Sequence, residues 1–246
     1  MQVKTHFELE FSEIKTDNEG AVAIIVAAGS GNRMMGVNKI FAGLLGVPTI
    51  ARTLRAFEKN PNIKKIVIVT KEEDINKMQL VAENYLITKV SDIVAGGKTR
   101  FGSVMNGIKV LSESDTCILV HDGARPFVTQ RIINDVYNAT KKHGAAICAV
   151  ALKDTVKFAG DGNFVESTPD RTKMRAVQTP QGFMKDIYLE CVNSTERTDF
   201  TDDSSVIEAG GRKVYIVEGD YNNIKITTPE DLNLAEAILR NEGNVL

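Results

Sequence analysis

Residues 21–28 read AVAIIVAA, a run of small and β-branched apolar side chains that breaks abruptly at Gly29-Ser30-Gly31. The run is far shorter than the roughly 20 apolar residues that span a bilayer, and continuous rather than alternating apolarity marks a strand covered on both faces. Such a strand commits the chain to a layered α/β architecture, because helices packed on each side of a sheet bury it twice. The glycines that follow let backbone N–H groups turn toward an anion, and the cations Arg33 and Lys39 come soon after, so the turn has the make-up of a polyphosphate cradle. Two familiar cradles are excluded. G-x-G-x-x-G fails at Met34, and G-x-x-x-x-G-K-[ST] fails ahead of Gly97-Lys98-Thr99 because Asp92 occupies its first glycine position.

The chain beyond supplies the other layers. Ile50, Leu54 and Phe57 share one helical face; residues 65–70 read as a strand; Ile75, Met78 and Ala82 line a second helix; residues 89–94 give another strand. After Gly96-Gly97, the spacing of Val104, Ile108 and Leu111 predicts a helix whose start lies near Ser103, where N–H groups are free. Residues 117–120 form a strand that runs directly into His121-Asp122-Gly123-Ala124-Arg125-Pro126, and an amphipathic helix over 129–142 closes at Gly144 before a strand over 145–152. Residues 155–158 and 163–167 flank Gly160-Asp161-Gly162 as a hairpin, an arm of about residues 153–175 projecting from the sheet. Residues 171–183, containing QTPQGF, are assigned no element. Helical periodicity resumes over 184–192 and again over 199–209, where Thr201 is placed to cap and Asp202 and Asp203 suit the first turn. A strand over 213–217 precedes a last helix with Thr228 as N-cap, Pro229 at N1 and Asp231 at N3.

This alternation predicts an α/β fold: a Rossmann-like, mainly parallel sheet with helices on both faces and a projecting β-hairpin arm. Residues 21–246 are expected to make one domain, and residues 1–20 a mobile polar extension whose alternating piece, 6–11, is at most a weak edge strand. A net charge of −2 offers no bulk attraction to nucleic acid or to an anionic membrane, so any anion site is local and the partner is a small molecule. Cys117, Cys148 and Cys191 sit at no metal-ligand spacing and read as buried thiols in a reducing compartment. With no basic-then-apolar leader, the expected location is the cytoplasm.

Ligands of such sheets bind beyond the strands' carboxyl ends, where the glycine turn, the 96–103 turn and Asp122 to Arg125 should converge. The converging set, Arg33, Lys39, Arg100, Asp122, Arg125, Arg171 and Lys225, is dominated by cations and holds no nucleophile with a partnered base. That suits phosphoryl or nucleotidyl transfer, where positioning and charge neutralisation do most of the catalysis. An attacking phosphate monoester, with a second pKa of about 6, needs no general base. His121 is read as a structural hydrogen-bonding residue. Asp122 has two readings, a partner for Arg125 or a ligand for substrate hydroxyls or a metal, and spacing does not choose between them.

AAGSGNRM with Lys39, GGKTRFGSV, VHDGARP, DTVK (154–157), QTPQGF, TDD and NIKITTPEDL occur in one order, and together they resemble the 2-C-methyl-D-erythritol 4-phosphate cytidylyltransferase family of the non-mevalonate isoprenoid pathway. The resemblance implies transfer of CMP from CTP to 2-C-methyl-D-erythritol 4-phosphate, with Mg²⁺ carried mainly on the CTP phosphates and its protein ligands unknown. It implies that Arg33 and Lys39 bind the triphosphate and stabilise the pentacoordinate α-phosphorus. Ala27, Ala28, Gly97 and Ser103 would border the cytosine pocket, next to the Gly29-Ser30-Gly31 turn. Asp122, Arg125, Thr201 and Lys225 would hold the acceptor, Lys225 also facing the reacting phosphates. Thr155 and Arg171 would reach a partner subunit's site from the arm, making a homodimer. The chain departs from the family pattern at Asn38, where proline is usual before the reactive lysine, and at Lys98, a position often acidic. Losing proline's fixed φ predicts a freer approach to Lys39. Ribitol-5-phosphate cytidylyltransferase is the neighbouring activity, with the AAG opening leaning toward methylerythritol phosphate. A nucleotide-binding regulator without turnover would leave these cations unpaired.

Overall fold

The structure, a computed structural model, describes residues 20–29, 38–241 and 243. The expected extension (1–20), apart from Gly20, lies outside the described residues, as do Ser30, Gly31 and Arg33. In chain order the elements are β1 (Ala21–Val26), β2 (Gly43–Leu44), β3 (Val47–Pro48), α1 (Thr49–Glu58), β4 (Ile63–Thr70), α2 (Ile75–Asn84), β5 (Val90–Ala95), α3 (Arg100–Lys109) and β6 (Cys117–Asp122). They continue as α4 (Gln130–His143), β7 (Ala145–Ala151), β8 (Phe158–Ala159), β9 (Val165–Ser167), β10 (Arg175–Met184), α5 (Lys185–Asn193), α6 (Ser204–Ala209), β11 (Tyr215–Glu218) and α7 (Pro229–Asn241).

The described residues form a seven-stranded sheet in the order β11-β7-β10-β6-β1-β4-β5. The pairs β1–β4, β1–β6, β4–β5 and β7–β11 are parallel, and β10 alone runs antiparallel, between β6 and β7. The apolar run at 21–28 supplies the inner strand β1, fully buried from Ala21 to Ile25. Its alternate faces feed two cores. Ala21, Ala23 and Ile25 pack with Leu54 of α1, Met78 of α2, Val136 of α4 and Ala235 of α7. Ile24 packs on the other side with Val104 of α3, Tyr188 of α5 and Val206 of α6. Burying each such side chain contributes about 1.5–3 kcal/mol, so the three layers hold one another in place.

Local chemistry accounts for the helix ends near the sheet's upper edge. Thr99 caps α3 by accepting from Gly102 N–H at 3.0 Å, and Thr129 caps α4 by accepting from Ile132 N–H at 3.3 Å. Asp231 reaches back to the N–H groups of Thr227 and Thr228 at 2.7 and 2.9 Å, the reciprocal half of a capping box. Gly107 lets α3 lie close on β1 and β4: a Cβ there would sit 2.8 Å from Ile24 Cγ2 and 3.0 Å from Val69 Cγ2.

Two expectations are corrected. Residues 175–184 are a strand, β10, although they carry Pro180 and a polar Gln178, Thr179 and Gln181. Its pairing with β7 breaks register between Val177 and Gln181, where proline has no N–H to give to the ladder. The helix expected over 199–209 starts at Ser204, and Thr201 does not cap it; Asp202 accepts from Ser205 N–H instead. The arm is a hairpin of β8 and β9 with Phe158, Phe164 and Val165 exposed.

Candidate active site

β1 runs parallel to β4 and β6; the chain passes from β1 to β4 and β5 on one side and returns to β6 on the other, so a crevice opens beyond the carboxyl ends of β1 and β6. Val26 and Asp122 are register partners at that edge. Ala27 N–H donates to Val69 O at 2.7 Å, and Gly123 N–H to Val26 O at 2.8 Å, which keeps both strand ends fixed as the chain turns away.

Here the turns enclose a cavity of roughly 340 Å³ that brings together Ala27, Ala28, Gly29, Lys39, Gly97, Ser103, Asp122 and Lys225. The same walls include Lys98, Thr99 and Arg100. Gly97 packs so tightly on the first turn of α3 that a Cβ would lie 2.7 Å from the Gly102 carbonyl carbon. That approach lets Gly97 N–H donate to Ser103 Oγ at 3.1 Å, while Ser103 Oγ donates to Thr99 O at 2.9 Å. The expectation of free N–H groups near Ser103 is corrected: Gly102 N–H is spent on Thr99 Oγ1 at 3.0 Å and Ser103 N–H on Thr99 O at 3.0 Å.

Asp122 is the electrostatic centre. Its carboxylate receives Lys225 Nζ at 2.9 Å, Arg125 Nε at 3.5 Å and Arg100 Nε at 3.6 Å. Burial alone would raise its pKa, but Lys225, Arg100 and Arg125 outweigh that and hold it well below the usual carboxylate range. Both readings left open for Asp122 are therefore joined by a third: it gathers cations from three separate segments. Lys225 arrives through Ile226 N–H bonded to Ala124 O at 2.9 Å, and Arg125 is steadied by donating to Asn223 O at 2.7 Å. His121 is buried with one ring nitrogen 3.0 Å from Thr179 Oγ1 and the other 3.1 Å from Arg125 O. Burial lowers its pKa to about 4, so it is a neutral strut at physiological pH.

Beside the cavity lies an open groove of roughly 430 Å³ that contains Arg125 and Thr201 together with Gln178, Thr179 and Asp202. Arg100 lines both spaces. Its Nη1 donates to Asp203 Oδ2 at 2.7 Å. The sequence places Asp203 only in a helix's first turn and gives it no part in the site, because its 103-residue separation from Arg100 leaves no local pattern that links the two. Thr155 and Arg171 line neither space within the chain; both are exposed on the arm, where Arg171 donates to Lys153 O.

Asn38 differs from the expectation of a looser loop. Its side-chain oxygen accepts from Ile40 N–H at 3.1 Å, its carbonyl accepts from Phe41 and Ala42 N–H, and its amide donates to Asp74 at 3.3 Å. Side-chain closure of the turn thus replaces the restriction a proline ring would impose.

No group of three His, Cys, Asp or Glu side chains suited to a metal occurs among the described residues. Asp122, the carboxylate lining the cavity, is already committed to cations. This donor set does not make a protein cage for a divalent ion.

The sheet and its sequence have known relatives. A family model described as 2-C-methyl-D-erythritol 4-phosphate cytidylyltransferase matches residues 21–241. The chain belongs to this family. It is 47% identical over 219 residues to 2-C-methyl-D-erythritol 4-phosphate cytidylyltransferase of Bacillus mycoides, covering 88% of this chain and 96% of that one. It is 44% identical over 223 residues to the enzyme of the same name from Clostridium novyi, with 89% and 96% covered. Among solved structures, 4-diphosphocytidyl-2C-methyl-D-erythritol synthase from Anaerococcus prevotii superposes with a TM-score of 0.80 at 35% identity, covering 91% of this chain and 97% of that one. Membership accounts for the α/β sheet.

Proposed function

We infer that the protein is a nucleotidyltransferase that transfers CMP from CTP to 2-C-methyl-D-erythritol 4-phosphate, giving 4-diphosphocytidyl-2-C-methyl-D-erythritol and pyrophosphate. The observation that carries the reading is that Lys39, Lys98, Arg100 and Lys225 all line one cavity at the carboxyl end of β1. A cavity lined by four cationic side chains suits a polyanionic ligand such as a nucleoside triphosphate. An oxygen of the acceptor phosphate attacks the α-phosphorus, the new P–O bond forms, and the bond to the bridging oxygen breaks with its electrons leaving on pyrophosphate. The acceptor is mostly dianionic at neutral pH, its second pKa being about 6, so no protein base is needed. That agrees with a site whose histidine is buried and fully bonded.

In this reading Lys39 neutralises charge that grows on the phosphates, with Arg33 as its expected companion from outside the described residues. Ala27, Ala28, Gly97 and Ser103 border the base, while Asp122 and Lys225 from the cavity and Arg125 and Thr201 from the adjoining groove receive the acceptor. Mg²⁺ enters on the CTP phosphates rather than in a protein cage. A homodimer supplies Thr155 and Arg171 from the neighbouring arm, and the cytoplasm provides the reducing setting that suits three buried thiols. No described helix is long and apolar enough to cross a membrane.

The test is pyrophosphate release measured across the four ribonucleoside triphosphates, each with methylerythritol phosphate and with ribitol 5-phosphate. Turnover confined to CTP with methylerythritol phosphate is expected. Faster turnover with ribitol 5-phosphate would move the activity to the neighbouring class, and CTP binding without any turnover would make the protein a regulator.

A further inference from the structure

Arg100 stands between two spaces that the reaction must join. It is the first residue of α3, and its side chain lines both the cavity assigned to CTP and the groove assigned to the acceptor. An arginine that served only to tie α3 to the 199–209 segment would be expected to turn its fork wholly inward. Here the Arg100 side chain is 23% exposed while that of its partner Asp203 is 1% exposed. One end of the pair is sealed and the other faces the cavities.

We propose that Arg100 is a further catalytic residue, its guanidinium spanning CTP and acceptor phosphates, and that Asp203 is the positioning residue that aims it. The inference rests on the cytidylyltransferase reading above and adds a role to that site.

The apparatus around Asp203 is built for aiming. Its carboxylate takes Arg100 Nη1 at 2.7 Å and lies 3.4 Å from the buried Tyr188 hydroxyl, and its N–H donates to Gln181 Oε1 at 3.0 Å. Gln181 in turn belongs to β10 and accepts from Ser204 N–H, so the aiming carboxylate is fixed to a central strand rather than to a loop. Burial pushes the Asp203 carboxyl upward against the pull of Arg100, whereas the carboxylates beside Arg100 outweigh its own burial and keep it charged. Guanidinium offers five N–H donors in one plane. With one given to Asp203 and Nε turned toward Asp122 at 3.6 Å, the remainder suit phosphate oxygens. During transfer the attacking phosphate oxygen and the α-phosphoryl oxygens draw together, the P–O bond to pyrophosphate breaks, and negative charge moves onto the leaving group. A cation that touches both partners lowers their repulsion most when they are closest, which is at the transition state.

Arg100→Ala is expected to lower kcat by about 100-fold or more with smaller changes in KM for CTP and acceptor. Millimolar guanidinium, below denaturing levels, should restore part of that loss because the Asp203 cradle remains to bind it. The same addition should fail in Arg100→Ala/Asp203→Asn. Should the double variant not fold, rescue of Arg100→Ala by guanidinium but not by methylammonium reads the cradle's shape instead. Wild-type turnover is measured in parallel: if wild type transfers no CMP, the activity reading falls and this inference with it. If wild type turns over and Arg100→Ala stays within threefold of it, the catalytic role of Arg100 alone is overturned. Equal rescue with and without Asp203, or by either cation, overturns the positioning role.

Discussion

The cavity at the end of β1 and the arm of β8 and β9 are held by opposite means. Around Asp122, which is 8% exposed, cations from three segments meet on one buried carboxylate, and Thr179, Asn223 and Gln181 bind the surrounding backbone. On the arm, Phe164 is 78% and Val165 61% exposed, and a short two-stranded hairpin is the main regular structure. Isolated hairpins are marginal in water, so apolar surface of this kind is best accounted for by a partner. The difference teaches that buried ion pairs hold the cavity within one chain, whereas the arm leaves its apolar side chains in water there.

Breaking the cavity should therefore cost far more than breaking the arm. Asp122→Asn leaves Lys225, Arg125 and Arg100 facing one another. The loss should fall at the lower end of the about 3–5 kcal/mol typical of a broken buried pair, because Lys225 is 38% exposed and water screens it. Urea denaturation at pH 7 measures it. Lys39→Ala should leave the fold intact and lower kcat by about 10²–10³, with CTP affinity little changed, since its charge opposes charge that develops in transfer. Steady-state kinetics with CTP titration separates the two; a raised KM with unchanged kcat would remove the role.

A pH series sharpens the comparison, because the buried titrating strut lies under the cavity and not under the arm. His121 titrates near 4 when folded and about 6.5 when unfolded, so the unfolded chain binds the proton first. Stability is thus fully present above about pH 6.5 and is lost as pH falls toward 4, by about 1.4 kcal/mol per pH unit. Asp122, held low, begins to contribute only below about pH 4 and does not overlap that window. Urea midpoints measured from pH 7.5 to 4.5 should slope downward in wild type and flatten in His121→Gln.

The smallest stability effect belongs to the arm. Phe164→Ser should change unfolding of the single chain by no more than about 0.5 kcal/mol, while sedimentation shows a shift from dimer toward monomer. If the arm instead behaves like the cavity and Phe164→Ser unfolds the chain, the contrast fails. Mixing Lys39→Ala with Arg171→Ala carries the same contrast to activity: shared sites predict recovery of about a quarter of wild-type turnover after subunit exchange. No recovery after proven exchange would return Arg171 to a surface role.

Much of this layout was legible in the sequence wherever one physical signal dominated. Unbroken apolarity marked β1, helical spacing marked α1 through α4, and Gly160-Asp161-Gly162 marked the arm's turn. β10 was hidden because its middle carries polar side chains and a proline, which normally argue against a central strand. Those side chains are buried because they serve the site: Thr179 bonds His121 and Asp122 N–H, and Gln181 bonds Asp203 and Ser204 N–H. Local rules fail where a strand is spent on function rather than on packing. Lys39, Asp122 and Lys225 could be named from motifs, but the grip of Asp203 on Arg100 is made only by folding.

The most direct measurement follows the transferred group itself. Protein, Mg²⁺, methylerythritol phosphate and CTP labelled at the α-phosphorus are incubated together, and the label and pyrophosphate are quantified. The cation-lined cavity predicts that label enters 4-diphosphocytidyl-2-C-methyl-D-erythritol one-for-one with pyrophosphate released. Label that remains in CTP, or that appears as free CMP, would contradict it.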